Sequence, residues 1–540
     1  MNEESRLYLN SQSYVTYNGK FKGHTFNAVA GYQAEKTTWN RSFIRKQNFI
    51  VDDIRTLNTG GTIQNPLTDA TTNKGSSTIA GYFARFNYNY LNKYYFTGTL
   101  RRDGSSKFGE DNRWGNFPSF SAAWRLTEEN FFPKSMKKVV TDWKIRAGWG
   151  IVGNSSIPDF LAYNRLNNVS YILGNSAVVG TADAGIAYTG LGWESTKDIN
   201  IGTDIEFWNG RIGIVYDYYV RTTSDMLYNV SLSEVTGFSS QTRNVSSMEN
   251  RGMEFTINSK NLIGAFKWNS SFNIYYNRNK VLDLGPQKNP IFGGPGGDNT
   301  VTVEGKPLSN FWGYQYLGPY RNWNDVKNSP IVGGNNPNAN FRSIPGDAKF
   351  ADINGDGIID RNDFTIIGNP QPDFMWGLTN QFSYKNIDLS IQVNGVSGGD
   401  VSLRTFKREV FGGNGGRYNI PKFLFDNYWR PDRTDAKYET PTRRAYAKQF
   451  FNSSQNIEKG TFVNINNITL GYTLPTALLS KYKISSLRVY ASVFNAFIFT
   501  KYNGWNPEAN VGGNNPLQQG VDETSYPMAR TVSFGINLNF

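Results

Sequence analysis

The chain has 540 residues, no Cys, a single His, and 56 Lys+Arg against 44 Asp+Glu, a formal charge of +12. Without Cys there is no disulfide scaffold, thiolate metal site or cysteine nucleophile, and His24 alone gives no multi-His centre and a poor inventory for nucleophilic catalysis. Aromatic residues, at 15%, are too many for disorder, and no apolar run of about 18 residues is present to make a transmembrane helix.

Along the chain the dominant signal is period-2 alternation, which sends successive side chains to opposite faces of a sheet. Residues 80–90 set Ala80, Tyr82, Ala84, Phe86, Tyr88 and Tyr90 against Arg85, Asn87 and Asn89. Residues 211–221 set Ile212, Ile214, Tyr216, Tyr218 and Val220 against Arg211, Gly213, Asp217 and Arg221. The pattern returns at Phe266, Trp268, Phe272, Ile274 and Tyr276, at Ile387, Leu389, Ile391 and Val393, and at Val532, Phe534, Ile536, Leu538 and Phe540. About fifteen such strands are predicted, starting near residues 6, 24, 78, 93, 118, 142, 195, 211, 250, 265, 373, 387, 461, 486 and 530. Most read as about 9–14 residues long, close to the roughly 9–11 that cross a bilayer at a tilt.

The connections alternate in length. Turns are predicted at 18–23 (Asn18-Gly19), 91–93, 127–141, 208–210 (Asn209-Gly210), 261–264, 384–386 and 474–485. Longer loops fall at 38–77, 103–117, 151–194, 222–249, 279–372, 398–460 and 497–529. This is the expected habit of an all-β, up-and-down, antiparallel transmembrane barrel with short periplasmic turns and long external loops. Residues 310–317 look strand-like, but a spanning strand there would invert the topology. They are placed inside one external excursion, 279–372, long enough to fold as a lobe. Tyr88, Tyr90, Tyr94, Tyr95, Trp208, Tyr275, Tyr276, Tyr384 and Tyr472 lie near strand ends, as interface girdles do.

The sharpest chemical motif runs from Asp352 to Asp363. Hard oxygen donors at positions 1, 3, 5, 7, 9 and 12 of a loop, with Gly at 6, suit Ca²⁺. Here those are Asp352, Asn354, Asp356, the Ile358 carbonyl, Asp360 and Asp363, with Gly357 at the turn. The flanks read as loop and strand, so this is a calcium-type loop without an EF-hand; the alternative is a metal-free Asx- and Gly-rich turn. In the external loops Trp312, Tyr314, Trp323, Trp429 and Trp505 offer aromatic faces that stack on sugar rings, or that pack the loops together. Gly293–Gly297 and Gly412–Gly416 follow no strand-to-helix pattern and read as loop tips rather than phosphate loops. His24 reads as structural.

Several stretches carry a family resemblance over essentially the whole chain: Tyr82-Phe83-Ala84-Arg85-Phe86-Asn87-Tyr88, the run from Tyr95 through Arg101-Arg102-Asp103-Gly104-Ser105-Ser106-Lys107-Phe108, and Lys144-Ile145-Arg146-Ala147-Gly148-Trp149-Gly150 with Gly153-Asn154. They continue with Asn250-Arg251-Gly252-Met253-Glu254, Pro345-Gly346-Asp347, Asp352 to Gly357, Gly368-Asn369-Pro370, Asn495-Ala496 and the terminal Phe540. In order and spacing they resemble the SusC/RagA-type TonB-dependent outer-membrane transporters of the Bacteroidetes. The resemblance implies a barrel of about 22 strands with an N-terminal plug, import of glycan oligomers or peptides driven by TonB, and a SusD-type surface lipoprotein as lid. It also implies that Phe540 is the signal read by the barrel assembly machinery; the stretch Arg430-Pro431-Asp432-Arg433 to Arg443-Arg444, by its charge, reads as a solvated face or lid contact.

Met1-Asn2-Glu3-Glu4-Ser5 opens directly onto a strand, with no signal-peptide pattern and no room for a plug or TonB-contacting segment. The expectation is therefore the C-terminal part of the barrel, about 15 of 22 strands, with two open edges and no transport by itself. The competing readings are a barrel enzyme built on His24 and a soluble, basic β-rich protein that binds carbohydrate or nucleic acid. The alternating apolar faces, matched to lipid, argue for an outer-membrane transporter and against a nucleic-acid partner.

Overall fold

The computed structural model describes residues 1–49, 53, 56, 58, 60–63, 69–174, 176–294, 297, 299–332, 343–404, 422–441, 452–523 and 525–540. The alternating segments form one sheet of fifteen strands, hydrogen-bonded in chain order. They are β1 (Asn2–Phe21), β2 (His24–Ile44), β3 (Ala70–Tyr90), β4 (Tyr94–Ser105), β5 (Trp114–Arg125) and β6 (Val140–Asn154). Then come β7 (Glu194–Phe207), β8 (Ile212–Ser231), β9 (Ser240–Ile263), β10 (Phe266–Asp283) and β11 (Phe374–Tyr384). The last four are β12 (Ile387–Ser397), β13 (Phe462–Thr473), β14 (Ser486–Thr500) and β15 (Thr531–Asn539). Each of the fifteen predicted strands is present.

Their lengths differ from the expectation. β1, β2, β3, β8 and β9 run for 20 to 24 residues. At about 3.4 Å per residue and a tilt near 40°, twenty residues rise roughly 50 Å, about twice an apolar band of ~25 Å. Polar residues at the strand tips hid this extension, because pairing continues after the hydrophobic pattern has stopped. The loops at 38–77 and 222–249 shrink accordingly to 45–69 and 232–239.

The first turn also moves. Asn18 and Gly19 pair with Asn27 and Phe26 inside the β1–β2 ladder, and the reversal is at Lys22-Gly23, with φ of 43° and 86°. A two-residue hairpin needs left-handed backbone at both positions, and Gly23 supplies it cheaply. Among the described residues no helix is long and apolar enough to cross a membrane, which leaves crossing by strands untouched.

The chain divides into two compact units: Met1–Lys134, Asp142–Gly202 and Tyr219–Glu249 in one, Ser135–Thr141, Thr203–Tyr218 and Asn250–Phe540 in the other. In the first, Phe108 is fully buried against Ile157, Ala162 and Leu191, so the long connections after β4 and β6 share a core. In the second, the described residues of 284–373 carry their own small sheets rather than a spanning strand. Asn310–Gly313 pairs with Thr300–Thr302 and Thr365–Gly368. Asp400–Leu403 joins Ile457–Lys459 and Val521–Asp522 in a further sheet. Asn299 donates to Asn452 at 2.7 Å and Thr300 to the Leu517 carbonyl at 2.7 Å, so three long connections build one packed assembly.

Candidate functional site

In the second unit the pairing registers run straight across six strands, β10 to β15. Phe266, Tyr384, Ile387, Tyr472, Val489 and Ile536 form one row. The next holds Lys267, Ser383, Asp388, Gly471, Tyr490 and Gly535, followed by Trp268, Phe382, Leu389, Leu470, Ala491 and Phe534, then Asn269, Gln381, Ser390, Thr469, Ser492 and Ser533. Rows alternate because side chains do. The first unit repeats this: Val15, Ala30, Ala84, Leu100 and Pro118 make an apolar row, and Asn18, Asn27, Asn87, Thr97 and Ser121 a polar one.

Leu100, Leu470 and Phe534 are 57%, 54% and 82% exposed, and among the described residues no second layer covers the apolar face. So large an apolar surface belongs against something other than water. The polar face is laced by hydrogen bonds. Asn27 Nδ2 donates to Asn18 Oδ1 at 2.7 Å, Asn87 Nδ2 to Asn27 Oδ1 at 3.1 Å, and Thr97 Oγ1 to Asn87 Oδ1 at 3.0 Å. On β12 to β14, Arg488 reaches over Gly471 to make two bonds to Asp388, at 2.9 and 2.5 Å. A Cβ on Gly471 would lie 2.4 Å from the guanidinium, so only Gly lets this bridge cross the middle strand.

At the turn end of the first unit the apolar face closes in aromatic rings. His24 lies 4.5 Å from Tyr90, Tyr90 stacks on Tyr94, and His24 Nδ1 meets the Tyr88 hydroxyl at 2.8 Å. Glu129, in the connection after β5, takes the Tyr94 hydroxyl at 2.5 Å and the Trp124 indole N–H at 3.0 Å. These bonds and Lys93 hold its carboxyl below the usual glutamate range. Sequence reading identified the aromatics but not Glu129, whose connection gives no periodic signal. Tyr384 and Tyr472 share an apolar row at the same end of their strands. Tyr95 and Tyr275 depart from the girdle expectation, since their parity puts them on the polar face.

The calcium-type loop is closed by its own backbone. Asp352 accepts from Gly355 N at 2.7 Å and Gly357 N at 2.8 Å, with φ of 76° and 82° at those glycines. Asn354 Oδ1 accepts from Asp356 N, and Asp356 Oδ1 from Ile358 N. Asp360 caps the short helix Arg361–Asp363, and the fully buried Asp363 accepts from Ile353 N and Asp360 N. Ile358–Ile359 pairs in parallel with Ile331–Val332. Among the described residues no three His, Cys, Asp or Glu side chains are grouped as a metal site.

The loop aromatics divide. Trp312 is half-buried between Phe292 and Phe364, and Tyr314 sits in a core with Val332, Ala348, Phe350 and Ile359. Trp429 packs on Gly346 and donates to the Arg321 carbonyl. Trp323 and Trp505 are 59% and 60% exposed. Burial and the neighbouring Glu439 push the Tyr316 phenol far above its ordinary value, and burial and Asp522 do the same to Tyr502, whose hydroxyl donates to Asp522 at 2.6 Å. Both therefore stay protonated donors that lock the loops.

The remaining sequence motifs also have places. Asn495-Ala496 is a β-bulge: Ile465 faces Phe497 while Asn467 faces Phe494, and Asn495 takes a φ of 49°. Phe540 is exposed and continues the parity of Phe534, Ile536 and Leu538. Arg430 and Arg433 are tied into their own turn, with Arg433 N donating to the Arg430 carbonyl at 2.8 Å. Asn299 N donates to the carbonyl of Gly293 at 2.9 Å, and Gly294 and Gly297 both take left-handed backbone, as loop-tip glycines do. Residues 295 and 296 of that run, Gly412–Gly416, Arg443 and Arg444 lie outside the described residues.

Residues 2–311 match the family model described as "TonB dependent receptor-like, beta-barrel". The chain is 33% identical to TonB-dependent receptor P3 of Formosa agariphila, over 98% of this chain and 52% of that protein. It is 34% identical to TonB-dependent receptor SusC of Bacteroides thetaiotaomicron, over 86% of this chain and 44% of that protein. The solved RagAB peptide transporter superposes with a TM-score of 0.79 at 22% identity, over 100% of this chain and 56% of that one. The chain thus spans about half the length of the curated relatives it matches.

Proposed function

Since the chain belongs to the TonB-dependent receptors, β-barrel proteins of the outer membrane, we propose that it walls an importer of the SusC/RagA type that takes up glycan oligomers, or peptides, with TonB supplying the energy and a SusD-type lipoprotein covering the mouth. One observation carries this reading: the row-by-row split of the sheet into an uncovered apolar face and a hydrogen-bonded polar one. The first meets lipid hydrocarbon, and the second lines a wet passage. A soluble carbohydrate-binding protein would not leave Leu470 and Phe534 open to water. Of the five loop aromatics singled out in the sequence, Trp323 and Trp505 are the exposed ones, and they are assigned to stacking on a sugar. Phe540, on the apolar parity, is assigned to recognition by the barrel assembly machinery.

The calcium-type loop is assigned a stiffening role in the assembly built by the long connections. Its donors are hard oxygens, and an ionised carboxylate has about four lone-pair sites, so an oxygen of Asp352 or Asp356 that accepts one N–H keeps room for a cation. The ion would shape the loop and take no part in transport chemistry.

Transport is tested by deleting the gene and following uptake of fluorescent oligosaccharides and oligopeptides by whole cells. Loss of one oligomer class, with its monomers unaffected and with the same loss on removing TonB, is the expected result. Unchanged uptake of both classes would refute the importer reading.

A further inference from the structure

In the first unit the apolar rows fix which residues look outward, and on β2 to β5 these are the even-numbered ones. Eight residues along the strands from the row of His24, Tyr90, Tyr94 and Trp124, the outward face carries a second aromatic row, in which Tyr32 pairs with Tyr82, Tyr82 with Arg102 and Arg102 with Asn116. The rings of Tyr32 and Tyr82 are 5.1 Å apart, Tyr82 stacks on Trp114 at 6.3 Å, and the Arg102 guanidinium lies 5.5 Å from the Trp114 ring. Eight residues at about 3.4 Å and a tilt near 40° rise roughly 21 Å, so the two aromatic rows bracket most of a ~25 Å apolar band. Arg102 therefore stands at the outer edge of the hydrocarbon. Among the Asp, Glu, Lys and Arg of β2 to β5, those on the outward face are Lys36, Lys74 and Arg102, all cations and all exposed. Among the described residues none of the three makes an ion pair, whereas on the inner face Arg101 is bonded to Asp103 and Arg125 to Asp142, each at 2.6 Å. β1 adds one outward carboxylate, Glu3, which pairs with Ser42 and so lies beyond all three cations.

Three cations of one sign, with no acid between them, attract anions. Their heights decide which anion. Lys36 lies four residues beyond Tyr32, and Lys74, opposite Asn40, lies eight beyond Tyr82. Along their own strands these are roughly 10 and 21 Å above the aromatic row. Phospholipid head groups fill only about 5–8 Å on each side of the hydrocarbon core. The flexible stem of Lys36 can bend down to that layer, but Lys74 stands beyond any phospholipid. The outward residues around the two lysines, Thr38, Ser76, Thr78 and Asn40, are small and offer hydroxyl and amide groups that suit sugar hydroxyls. A soluble acidic protein would meet lipid before it reached Arg102. The ligand that fits has acyl chains below the aromatic row, an anionic group beside Arg102 and Lys36, and a saccharide tall enough to bring a further anion to Lys74.

We propose that the outward face of β2 to β4 is a binding site for an anionic glycolipid of the outer leaflet, lipopolysaccharide, with phosphate held at Arg102 and Lys36 and acidic core sugar at Lys74. The inference rests on the apolar face meeting lipid, as read above, and adds which lipid the wall selects and where. It is tested on the whole transporter, purified in detergent from its own outer membrane. The probes are lipopolysaccharide from the same cells, that material after phosphatase treatment, phosphatidylglycerol and inorganic phosphate, and bound lipid is counted by native mass spectrometry. Two variants are compared with wild type: Lys36→Gln with Lys74→Gln, which lie above the membrane, and Arg102→Gln at its edge. The control is Lys20→Gln, opposite Thr25 on the inner face at the turn end.

At least tenfold weaker binding of lipopolysaccharide is expected in the double variant, a smaller loss in Arg102→Gln and none in Lys20→Gln. Phosphatase treatment should weaken binding to wild type, and neither phosphatidylglycerol nor inorganic phosphate should displace the glycolipid. Equal binding by wild type and the double variant, an equal loss in Lys20→Gln, or displacement by phosphatidylglycerol or phosphate at matched concentration would overturn the proposal while leaving a lipid-facing wall. A wild-type protein that carries no lipid and fails to insert into phospholipid vesicles would instead remove that wall, and the proposal with it.

Discussion

Replacing Leu100 by Arg tests the premise that the apolar face meets lipid. Leu100 lies on β4, six residues beyond Tyr94 at the aromatic turn end, with Ala84 and Pro118 beside it in the row. Six residues at about 3.4 Å and a tilt near 40° rise roughly 16 Å, which sets it within about 4 Å of the centre of a ~25 Å apolar band. An Arg at that depth costs about 2–4 kcal/mol, one to nearly three orders of magnitude in folding equilibrium. Ser121→Arg is the matched control. Ser121 is exposed on the polar face between Thr97 and Gly148, with room for a long side chain, and its cost is about 0–1 kcal/mol. Both are measured by denaturant titration of the transporter in phospholipid vesicles. Equal costs, or a larger cost at Ser121, would show that the faces have been assigned the wrong way round.

Three further outcomes follow from named contacts. Gly471→Ala should break the Arg488–Asp388 bridge and lose about 1 kcal/mol by the same titration, and Arg488→Ala should then cost nothing more in that background, a coupling that a double-mutant cycle reads directly. Glu129 has its pKa lowered in the folded state, so its contribution is complete above the unfolded glutamate pKa and is lost as pH falls through the folded one. Wild-type protein should accordingly show an acid-side drop in thermal stability that Glu129→Gln lacks, and parallel profiles for the two would refute the anchor. Millimolar Ca²⁺ at about ten times its Kd should add roughly 1.4 kcal/mol to the stability of the loop assembly, reversed by EGTA and absent in Asp352→Ala, whereas an equal effect of Mg²⁺ would deny a calcium site.

The sheet was legible in the sequence because its two faces meet different solvents. Val532, Phe534, Ile536 and Leu538 alternate with Ser533, Gly535 and Asn537 for a cause that acts on every residue, so the period announces both the strand and its faces. The strand tips were not legible, since β1 and β2 pair through Asn2–Phe43 and Glu3–Ser42 with no apolar row to mark them. Nor were the loops, whose order comes from contacts distant in sequence, such as Asn299 with Asn452 or Trp429 on Gly346. The calcium-type motif was visible as spacing, yet its carboxylates turn to the backbone of the same loop, which spacing does not report.

The bulge at Asn495-Ala496 shows why such local breaks matter to the wall. Below it Val493 lies on the apolar face and Phe494 on the polar one; strict alternation would then place Asn495 toward lipid and Phe497 with it. Skipping both Asn495 and Ala496 on β14, against Asn466 alone on β13, realigns the strands so that Phe497 and Phe499 face Ile465 and Val463 in the apolar rows while Ile498 meets Asn464. The left-handed Asn495 and its bond to the Ala529 carbonyl at 3.0 Å absorb the extra residues. The polar Asn thus finds a backbone partner while the apolar rows run on past the break, and a membrane wall has reason to keep such a break where a sheet facing water on that side would not.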